Sequence, residues 1–458
     1  MIRMIRARRV AALAVVLTPA ILALLGSSAA AAAAAAPVPA AAPAAPAFRI
    51  EGSGAGHGVG MSQWGAYGMA LRGYAASSIV AHYYPGTDAR PAMLPETISV
   101  GLLQAGLDPR TGGRLSQVLF QGRQLGGAEG SGTVVVTGYG SDGQLHRRYL
   151  PGGITWSARP QDGGMSVFGP DGRVFGPATL DGRGGLVLRY GVGTGVRVPG
   201  LLSLPQTGRT LRWGRVEIRA VRDDRGVTRP RAVLLIGVNA YLRGLGEVPS
   251  LWPMAALQAQ AIAARSYAVA AVQRLGQHRD QAAWDGCDCA VYPDTRDQYF
   301  VGWSKEGGLA GARWVSAVDG TGALVVGYGG EVVQALYSAS SGGRTQSVSV
   351  WGGPPSSHMP VQRDPWDCGS GGGGGGPCRN PNWRWSELRS AAAMSAALRE
   401  LGVGRVTGIR ATWRDSSGRI RAATVSGTRG SAAVTGATLQ RLLGLKSTRF
   451  TVTPRPTG

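Results

Sequence analysis

The sequence has few acidic residues and almost no lysine. Its 458 residues hold 26 Asp and Glu against 48 Lys and Arg, a formal net charge of +22, and only Lys305 and Lys446 are lysines. Such a chain is attracted to polyanions, either nucleic acid or the anionic polymers of a bacterial wall, although a solvated basic surface without a partner is the simpler interpretation. No zinc-finger spacing, aromatic RNA-binding motif or long basic run is found, so no nucleic-acid partner is expected.

Motifs of several common enzyme classes are also missing. The sequence contains no G-x-S-x-G elbow, no Walker phosphate loop and no H-E-x-x-H site. Its five histidines have no metal-ligand spacing, and we expect neither a metal nor a cofactor. Glycine and proline are abundant instead, at 73 and 27 residues. Together they exceed a fifth of the chain, which favours turn-rich β structure over an all-helical bundle.

The first residues predict export. Four arginines precede an apolar run at residues 10–25, and several small-residue cleavage sites follow at 27–36. This order is typical of a secretory signal peptide over residues 1–36. The run is shorter than the ~20 residues of a membrane-spanning helix, so no stable membrane span is expected after cleavage. A Pro/Ala segment at 37–47 then predicts a semi-rigid linker.

Export makes disulfides the expected state of the four cysteines, Cys287, Cys289, Cys368 and Cys378. Cys368 and Cys378 flank a glycine-rich loop that is flexible enough to let them pair. Cys287 and Cys289 are less readily paired with each other, because a disulfide between residues two apart closes a small strained ring. A four-cysteine zinc site is the alternative, but its spacing is poor for a zinc finger.

Two patterns predict an α+β fold, with a β-rich domain and a core built around a central helix. Residues 96–235 alternate short Val, Leu and Ile runs with Gly, Asp and Pro turns, as β-hairpins do. Residues 253–275 carry an apolar stripe at spacings of three and four, which predicts a buried central helix. Ser250 is its expected cap and Gly276 its stop. A shorter amphipathic helix is expected at residues 69–84.

Glu247 is the candidate acid of this region. It lies just before the central helix, in a loop with Val248, Pro249, Leu251 and Trp252. Apolar neighbours raise the pKa of a carboxyl group, whereas a helix N-terminus lowers it. The residues alone leave two interpretations open: a proton donor or base, and a simple cap of the helix, which is the commoner role of an acid at such a position.

The segment YLRGLGEVPSLWPMAALQAQAIAARSYAV around Glu247 resembles the hallmark of the SpoIID/LytB family, which comprises stage II sporulation protein D and amidase-enhancer relatives. Residues 292–302 and the stretch YSASSGGRT at 337–345 resemble two further blocks of that family. GHGVGMSQWGAYGMA and LLGLKSTRF, the latter at 442–450, also match. Together these blocks touch most of the chain that follows the linker.

The resemblance implies a function in the bacterial wall. The family contains lytic transglycosylases, which cut the MurNAc–GlcNAc bond of peptidoglycan with one glutamate, and Glu247 occupies the matching position. Seven other residues fall in matching blocks and are expected to line the glycan cleft: His57, Ser62, Gln63, Gln258, Arg265, Ser340 and Ser341. Because the family also includes amidase enhancers, the alternative is a non-catalytic partner that activates a cell-wall amidase. A wall-binding β module is a third possibility.

The order of the blocks differs from that in better-known members, where GHGVGMSQ follows the serine-glycine block. We therefore expect a circular permutation in which residues 48–95 fold back beside residues 442–450. After the linker, the predicted chain consists of this permuted segment, a β-rich domain at 96–235 and a SpoIID-like core at 236–458. The expected location is secreted, at the cell wall.

Overall fold

The computed structural model describes residues 47–455, apart from gaps at 105–106, 109–110, 126–131, 192–199, 280–285 and 369–378. The predicted signal peptide, all but the last residue of the predicted linker, and Cys378 lie outside the described residues. Within them, no helix is long and apolar enough to cross a membrane.

The fold is α+β, as the sequence predicted, and its largest part is an antiparallel sheet of twelve strands among the described residues. Numbered in chain order, these strands are β4 (Ile98–Leu103), β5 (Val118–Gln124), β6 (Val134–Tyr139), β7 (Leu145–Leu150), β8 (Thr155–Gln161), β9 (Gly164–Gly169), β10 (Gly172–Leu180), β11 (Arg183–Arg189), β12 (Gly200–Leu204), β13 (Arg209–Leu211), β14 (Arg215–Arg222) and β15 (Thr228–Ile236). Their order is β13-β12-β5-β8-β9-β10-β6-β11-β14-β15-β4, with β7 paired to β6.

The other strands of the described residues form small sheets. They are β1 (Ala47–Gly52), β2 (Met61–Ser62), β3 (Asp88–Pro91), β16 (Leu324–Tyr328), β17 (Glu331–Val332), β18 (Tyr337–Ser338), β19 (Trp385–Ser390), β20 (Val406–Arg414), β21 (Ile420–Gly427), β22 (Gly430–Thr435) and β23 (Phe450–Arg455). The sheets have the orders β19-β1-β23, β17-β16-β3, β18-β2 and β20-β21-β22.

Helices connect and cover these sheets. They are α1 (Gln63–Leu71), α2 (Ala76–Tyr83), α3 (Val238–Arg243), α4 (Met254–Leu275), α5 (Trp303–Glu306), α6 (Gly311–Gly320), α7 (Ala391–Ala397) and α8 (Gly436–Leu443). Short 3-10 turns lie at Pro205–Thr207, Val348–Trp351 and Arg399–Leu401.

Helix α4 is the predicted central helix. Leu257, Ala261, Ala264 and Ala268 of its apolar stripe belong to the same buried cluster as the inner side chains of the large sheet. Small alanine side chains let the helix approach its neighbours closely, so sheet and helix share one core. Ser250 does not cap it, contrary to the prediction: the cap position is Pro253, which offers no side-chain hydrogen bond.

The single helix predicted at residues 69–84 is wrong, because the structure contains α1 and α2 instead. Their separation lies around Gly73, whose φ is +83°. That left-handed conformation suits glycine and ends a right-handed helix. The break lets α1 and α2 each pack against α4 from its own direction.

The last part of the described chain has a core of its own, to which the first strand contributes. Phe48 and Ile50 of β1 are buried with Leu439, Leu443 and Phe450. Strand β1 lies between β19 and β23 and pairs antiparallel with both. Ala47, predicted as the end of the linker, is therefore a strand residue, and β1 lies directly beside the final strand.

Candidate active site around Glu247

Glu247 lies on a loop between α3 and α4 that is fixed by cationic side chains. The ammonium group of Lys305 in α5 donates to the carbonyl of Val248. Arg313 of α6 donates from Nε to the Ser250 carbonyl at 3.3 Å and from Nη2 to the Trp252 carbonyl at 3.0 Å. These donors satisfy carbonyls that no regular secondary structure would satisfy, and they hold the loop in one conformation.

The carboxyl group of Glu247 accepts hydrogen bonds from outside its own loop. Its Oε1 accepts from the Tyr299 amide at 2.7 Å and from the Tyr337 hydroxyl at 3.2 Å. The Gln63 side chain hydrogen-bonds to the same carboxyl group. Because α4 begins seven residues later, at Met254, Glu247 does not serve as the cap of that helix.

A chain of hydrogen bonds orients the Tyr337 hydroxyl. Tyr241 donates to Gln298 Oε1 at 3.1 Å, and Gln298 Nε2 donates to the Tyr337 oxygen at 2.8 Å and to the Ala264 carbonyl at 3.1 Å. Burial raises the pKa of the Tyr337 phenol well above its usual value, so it stays protonated. Its proton is therefore directed at Glu247.

Burial raises the pKa of Glu247, because the charged form loses hydration. The hydrogen bonds from Tyr299, Tyr337 and Gln63, together with the charge of Lys305, oppose this shift. Burial outweighs them. Burial also lowers the pKa of Lys305, to about 8, against the opposing attraction of Glu247. Desolvation thus decides the balance that the sequence left open, and the helix N-terminus is too far along the chain to reverse it.

The GHGVGMSQ segment reaches this site through β2. Met61 and Ser62 pair in parallel with Tyr337 and Ser338 of β18. A side chain at Gly60, whose φ is +69°, would collide with the Leu336 carbonyl, so the close approach of the two segments needs glycine there. The pairing brings Gln63, the first residue of α1, to Glu247 although 183 residues separate them in the chain.

Of the seven side chains predicted to line the cleft, the structure joins only Gln63 to Glu247 by a described hydrogen bond. His57 lies beside Tyr337, but both of its ring nitrogens already make hydrogen bonds within the protein. Its Nδ1 accepts from the Val59 amide at 2.9 Å, and its ring donates to the Tyr337 backbone. Burial and the charge of Arg419 lower its pKa to about 4, so it is neutral. His57 therefore supports Tyr337 instead of offering a ring nitrogen to a ligand.

Ser62, Ser340 and Ser341 are buried and hold loops together, contrary to the prediction that they line the cleft. Ser62 Oγ and Ser340 Oγ donate to the two oxygens of Asp367, at 2.5 and 2.8 Å. Ser341 Oγ donates to Asp364 Oδ2 at 2.8 Å. Small hydroxyls fit between buried carboxylates and tight loops, which explains why serine suits these positions without any contact with a ligand.

The buried pair of Asp364 and Asp367 makes stability depend on pH. Burial, and then the neighbouring charge of Asp367, raise the pKa of Asp364 to about 7. The folded state therefore holds a proton that the unfolded chain releases near pH 4, and stability falls as pH rises from about 4 through 7. We expect the wild-type melting temperature to fall between pH 5 and pH 8, and Asp364→Asn, which mimics the protonated acid, to reduce that fall.

Differential scanning calorimetry at the two pH values measures this effect, with Asp171→Asn at an exposed turn as the control. The control should follow the wild type. An unchanged pH dependence in Asp364→Asn would show that Asp364 is charged in the folded protein throughout this range.

Arg265 and Gln258 are also placed differently from the prediction. Arg265 is fully buried and donates to Asn239 Oδ1 at 2.9 Å and to the carbonyls of Leu324 and Val318 at 2.9 and 3.0 Å. It joins α4 to α3, α6 and β16, so it holds the core and cannot reach a glycan. Gln258 lies beside Gly320 at the end of α6. The helix residue that meets Gln63 is Gln260, two positions later and therefore on another face of α4.

Three aromatic side chains lie next to the Glu247 loop. Trp64 and Tyr67 of α1 and Trp252 of the loop contact one another with ring centroids 5.0 to 5.2 Å apart. Trp64 and Tyr67 are partly exposed, and Leu251 beside Trp252 is 65% exposed. The Glu247 loop thus carries one ring of an aromatic cluster that is partly exposed.

The described residues contain no group of three His, Cys, Asp or Glu side chains that could hold a metal ion. A cavity of about 730 Å³ lies in the large sheet, lined by Arg183, Arg219, Arg222 and Arg231 among others. Its lining includes neither Glu247 nor any of the hydrogen-bond partners of Glu247 described above. The candidate site on the Glu247 loop is therefore separate from this cavity.

The structure pairs Cys287 with Cys289, which the sequence analysis did not favour. The chain bends between them, so that their Cα atoms are 5.0 Å apart and both sulfurs face Gly101. The bend turns both side chains to the same side, as the small ring requires. Cys368 is also disulfide-bonded. Its pairing with Cys378 stays a prediction, since Cys378 lies outside the described residues.

Comparison with known proteins assigns the central part of the chain. Residues 228–328 match the SpoIID family model, described as stage II sporulation protein. The chain carries a SpoIID domain. The matched range runs from β15 to β16 and contains α3, the Glu247 loop, α4, α5 and α6. It ends before Tyr337, so the hydroxyl that contacts Glu247 comes from beyond the matched range.

Two short matches accompany the family assignment. Forty residues of the chain are 55% identical to the amidase enhancer of Bacillus subtilis (strain 168), which is 9% of this chain and 6% of that protein. Thirty-nine residues are 56% identical to an uncharacterized protein of Brachyspira hyodysenteriae (strain ATCC 49526 / WA1), which is 8% of this chain and 11% of that protein. The matched segments are thus small fractions of these relatives.

The site contains residues that sequence reasoning did not single out as functional. Tyr337 and Gln298 lie in the blocks that resemble the family, but the serines that follow Tyr337 were chosen instead. Gln260 lies in the hallmark segment, where Gln258 was expected to be the functional residue, and Lys305 lies outside the quoted motifs. The signal for Lys305 was its rarity, because it is one of two lysines in a chain that otherwise uses arginine.

Proposed function

We propose that this protein is an exported lytic transglycosylase that cleaves MurNAc–GlcNAc bonds in the glycan strands of peptidoglycan, with Glu247 as its acid and base. The observation that carries the proposal is the environment of Glu247: a partly buried carboxyl group on a fixed loop, with a raised pKa, held by Tyr299 and Tyr337. A general acid needs a protonated carboxyl group near neutral pH, and this environment favours one. The SpoIID domain around Glu247 supports the wall as the place of action.

The chemistry needs one carboxyl group. The hydrogen bonds from Tyr299 and Tyr337 both reach Oε1 of Glu247, so in this proposal Oε2 carries the proton of the acid. That proton passes to the glycosidic oxygen as its bond to the anomeric carbon breaks. The Glu247 carboxylate then takes the proton from the 6-hydroxyl of the sugar that holds the anomeric carbon. The oxygen of that hydroxyl bonds to the anomeric carbon of its own ring. No water is consumed, and the second carboxylate that positions water or attacks in ordinary glycosidases is not required.

The neighbouring groups suit this cycle. Tyr299 and Tyr337 stabilise the carboxylate that forms after proton transfer, and the ammonium of Lys305 adds a favourable charge. Trp64 and Tyr67 offer partly exposed aromatic faces beside the acid. Aromatic rings pack well against the apolar faces of sugar rings, and such contacts would hold the glycan strand across the loop.

Activation of a cell-wall amidase is the second candidate function. It rests on the short match to the protein named amidase enhancer, in which 40 residues are 55% identical. In that case the same surface would bind a protein, and Glu247 would contribute a contact instead of a proton.

One experiment tests the first function against the second. The purified chain is incubated with intact peptidoglycan and with peptide-stripped glycan strands, and the products are analysed by mass spectrometry. New 1,6-anhydro ends are the expected result. Unchanged strands, together with faster hydrolysis by an added wall amidase, would support the activator instead.

Lys305→Met is expected to shift the pH profile of cleavage. The charge of Lys305 lowers the pKa of Glu247, so its removal raises that pKa further. Cleavage by a general acid falls as pH rises through the pKa of that acid. The alkaline limb of the kcat/KM profile should therefore move to higher pH in Lys305→Met, whatever the change in the maximum rate.

Lys446→Met is the matched control, because it removes the chain's other lysine, which bonds to Asn382. Its alkaline limb should stay at the wild-type position. A limb that does not move in Lys305→Met, or that moves to lower pH, would show that another group controls the profile.

A further inference from the structure

Four arginines from separate segments converge near the Gly342–Gly343 loop: Arg344, Arg384, Arg414 and Arg449, here called the arginine cluster. Arg384 Nη1 and Arg449 Nη1 both donate to the Gly342 carbonyl, at 3.3 and 2.6 Å. Arg344 Nη1 donates to the Ser416 carbonyl at 2.9 Å. Arg414 donates to the carbonyls of Gly418 and Phe450 at 2.9 and 2.7 Å.

The cluster is held by the main chain and is not neutralised. Each hydrogen-bond partner described above is a carbonyl oxygen, and among the described residues none of the four guanidinium groups has a carboxylate within salt-bridge distance. Two guanidinium groups that share one carbonyl oxygen have not satisfied their donors, because each has five N–H groups. Donors thus remain for a ligand.

The charges around the cluster sum to a positive value. Arg419 is buried beneath it and donates to the Gly56 and Ser341 carbonyls, both at 3.3 Å. Two acids face the group from below, Asp367 and Asp415. Both are already engaged: Asp367 by serine hydroxyls and loop amides, and Asp415 by Gln346 at 2.7 Å and by Ser417. Five guanidinium groups against two carboxylates leave three positive charges.

The arginines of the cluster repel one another. Burial lowers the pKa of Arg449, and the charges of Arg384 and Arg344 lower it further. Like charges held together without counter-charges cost free energy in the folded protein, and an anion bound among them recovers it. Arg384 is exposed and lies over the ring of Trp383 at 4.4 Å, which keeps its guanidinium extended at the surface.

We propose that the arginine cluster is a binding site for the oxyanion groups of an anionic polymer. Guanidinium groups bind phosphate and carboxylate oxygens in a planar, bidentate manner, and several of them at one place suit a ligand with repeated charges. The cluster lies on the C-terminal strands and the Gly342–Gly343 loop, and none of its members contacts Glu247 by a described hydrogen bond. It would hold the protein on a polymer while the cleft acts elsewhere on the wall.

The choice of wall-type polymers as probes rests on the proposed function, but the binding itself does not require catalysis. We therefore measure binding with the catalytically blocked variant Glu247→Gln as well as the wild type, by isothermal titration calorimetry at 150 mM salt. The probes are poly(glycerol phosphate), a phosphodiester polymer, and poly-γ-glutamate, a carboxylate polymer. Both proteins should bind at least one polymer with equal affinity, and added salt should weaken the binding.

Charge-reversal variants distinguish binding at the arginine cluster from general electrostatic attraction between the basic protein and the polymer. Arg384→Glu should weaken binding by about tenfold or more, because one charge-assisted contact is lost and a repulsion is added. Arg148→Glu, an exposed position on β7, changes the net charge equally and should change the affinity by less than about twofold. Tighter binding of poly(glycerol phosphate) than of poly-γ-glutamate would identify phosphate as the group that the cluster recognises. Equal binding of the two polymers would identify oxyanions in general. Equal losses in the two variants, or binding of neither polymer, would overturn the proposal.

Discussion

Glu247→Gln is expected to abolish glycan cleavage while leaving the fold intact. Glutamine keeps the volume of the side chain and an oxygen that can accept from the Tyr299 amide and the Tyr337 hydroxyl. It cannot give a proton to a leaving oxygen. General acid and base catalysis contributes about 10² to 10⁴ in rate. The loss should reach or exceed this factor, because the described hydrogen-bond partners of Glu247 are a tyrosine hydroxyl, a glutamine and a backbone amide, and none of them is a carboxylic acid that could replace it. Anhydro-sugar release measured by mass spectrometry gives the rate.

The melting temperature and glycan binding of this variant are part of the same test. Both should match the wild type, as should cleavage by Glu331→Gln, a substitution on β17 at an exposed position. If the variant cleaves at the wild-type rate, another acid carries the reaction, and the candidates are Asp285, which lies outside the described residues, Asp294 and Asp297. Asp294 and Asp297 already bind arginine, at 2.6 and 3.0 Å. If neither protein cleaves while both stimulate an amidase, the activator function replaces the enzyme.

Regular patterns in the sequence predicted the larger part of the fold. The central helix was expected at 253–275 and occurs at Met254–Leu275, because an alanine-rich stripe with a proline before it and a glycine after it permits little else. The hairpins of residues 96–235 form the large sheet for a similar reason. The prediction of a single helix at 69–84 missed the break between α1 and α2, because a helical period continues across Gly73, whose backbone conformation cannot be read from composition.

Membership of a motif predicted the candidate site less well than it predicted the fold. Arg265 and Ser341 lie in blocks that resemble the family, yet both are buried and hydrogen-bonded within the protein. A motif records that a residue is needed and does not record whether it is needed for packing or for a ligand. Which side of α4 faces the acid depends on the path of α1, which no local pattern specifies. Tyr337 was also passed over, although it supplies the hydroxyl that contacts Glu247.

The expected folding-back of residues 48–95 beside residues 442–450 can be compared with the contacts between these segments. The Ser53 amide donates to the Arg449 carbonyl at 3.0 Å, and the Gly56 amide donates to the Lys446 carbonyl at 2.8 Å. The start of the described chain thus lies against its end, which is the condition under which a permuted order leaves contacts unchanged. The permutation itself stays a prediction, and a solved structure of a relative with the usual order would test it.

Asp367→Ala is expected to destabilise the protein strongly and to reduce cleavage as a consequence. The Asp367 carboxylate is fully buried and accepts from Ser62 Oγ, Ser340 Oγ, and the amides of Ser341 and Gly342, at 2.5 to 3.2 Å. Alanine leaves these donors without an acceptor inside the protein, at a cost of about 3–5 kcal/mol. Ser62 also caps α1, so its release frees the helix that carries Gln63.

Thermal unfolding and cleavage together distinguish this role from that of Glu247. Asp367→Ala should lower the melting temperature by several degrees and lose activity in proportion to the fraction unfolded or loosened, so that activity returns in part at lower temperature. Glu247→Gln should lose activity at every temperature without any change in melting. Asp171→Ala, at an exposed turn of the large sheet, should alter neither quantity. A normal melting temperature in Asp367→Ala would mean that the serine hydroxyls find other acceptors. The contact between Ser62 and residues 340–342 would then owe its stability to the paired strands β2 and β18 instead of to the buried carboxylate.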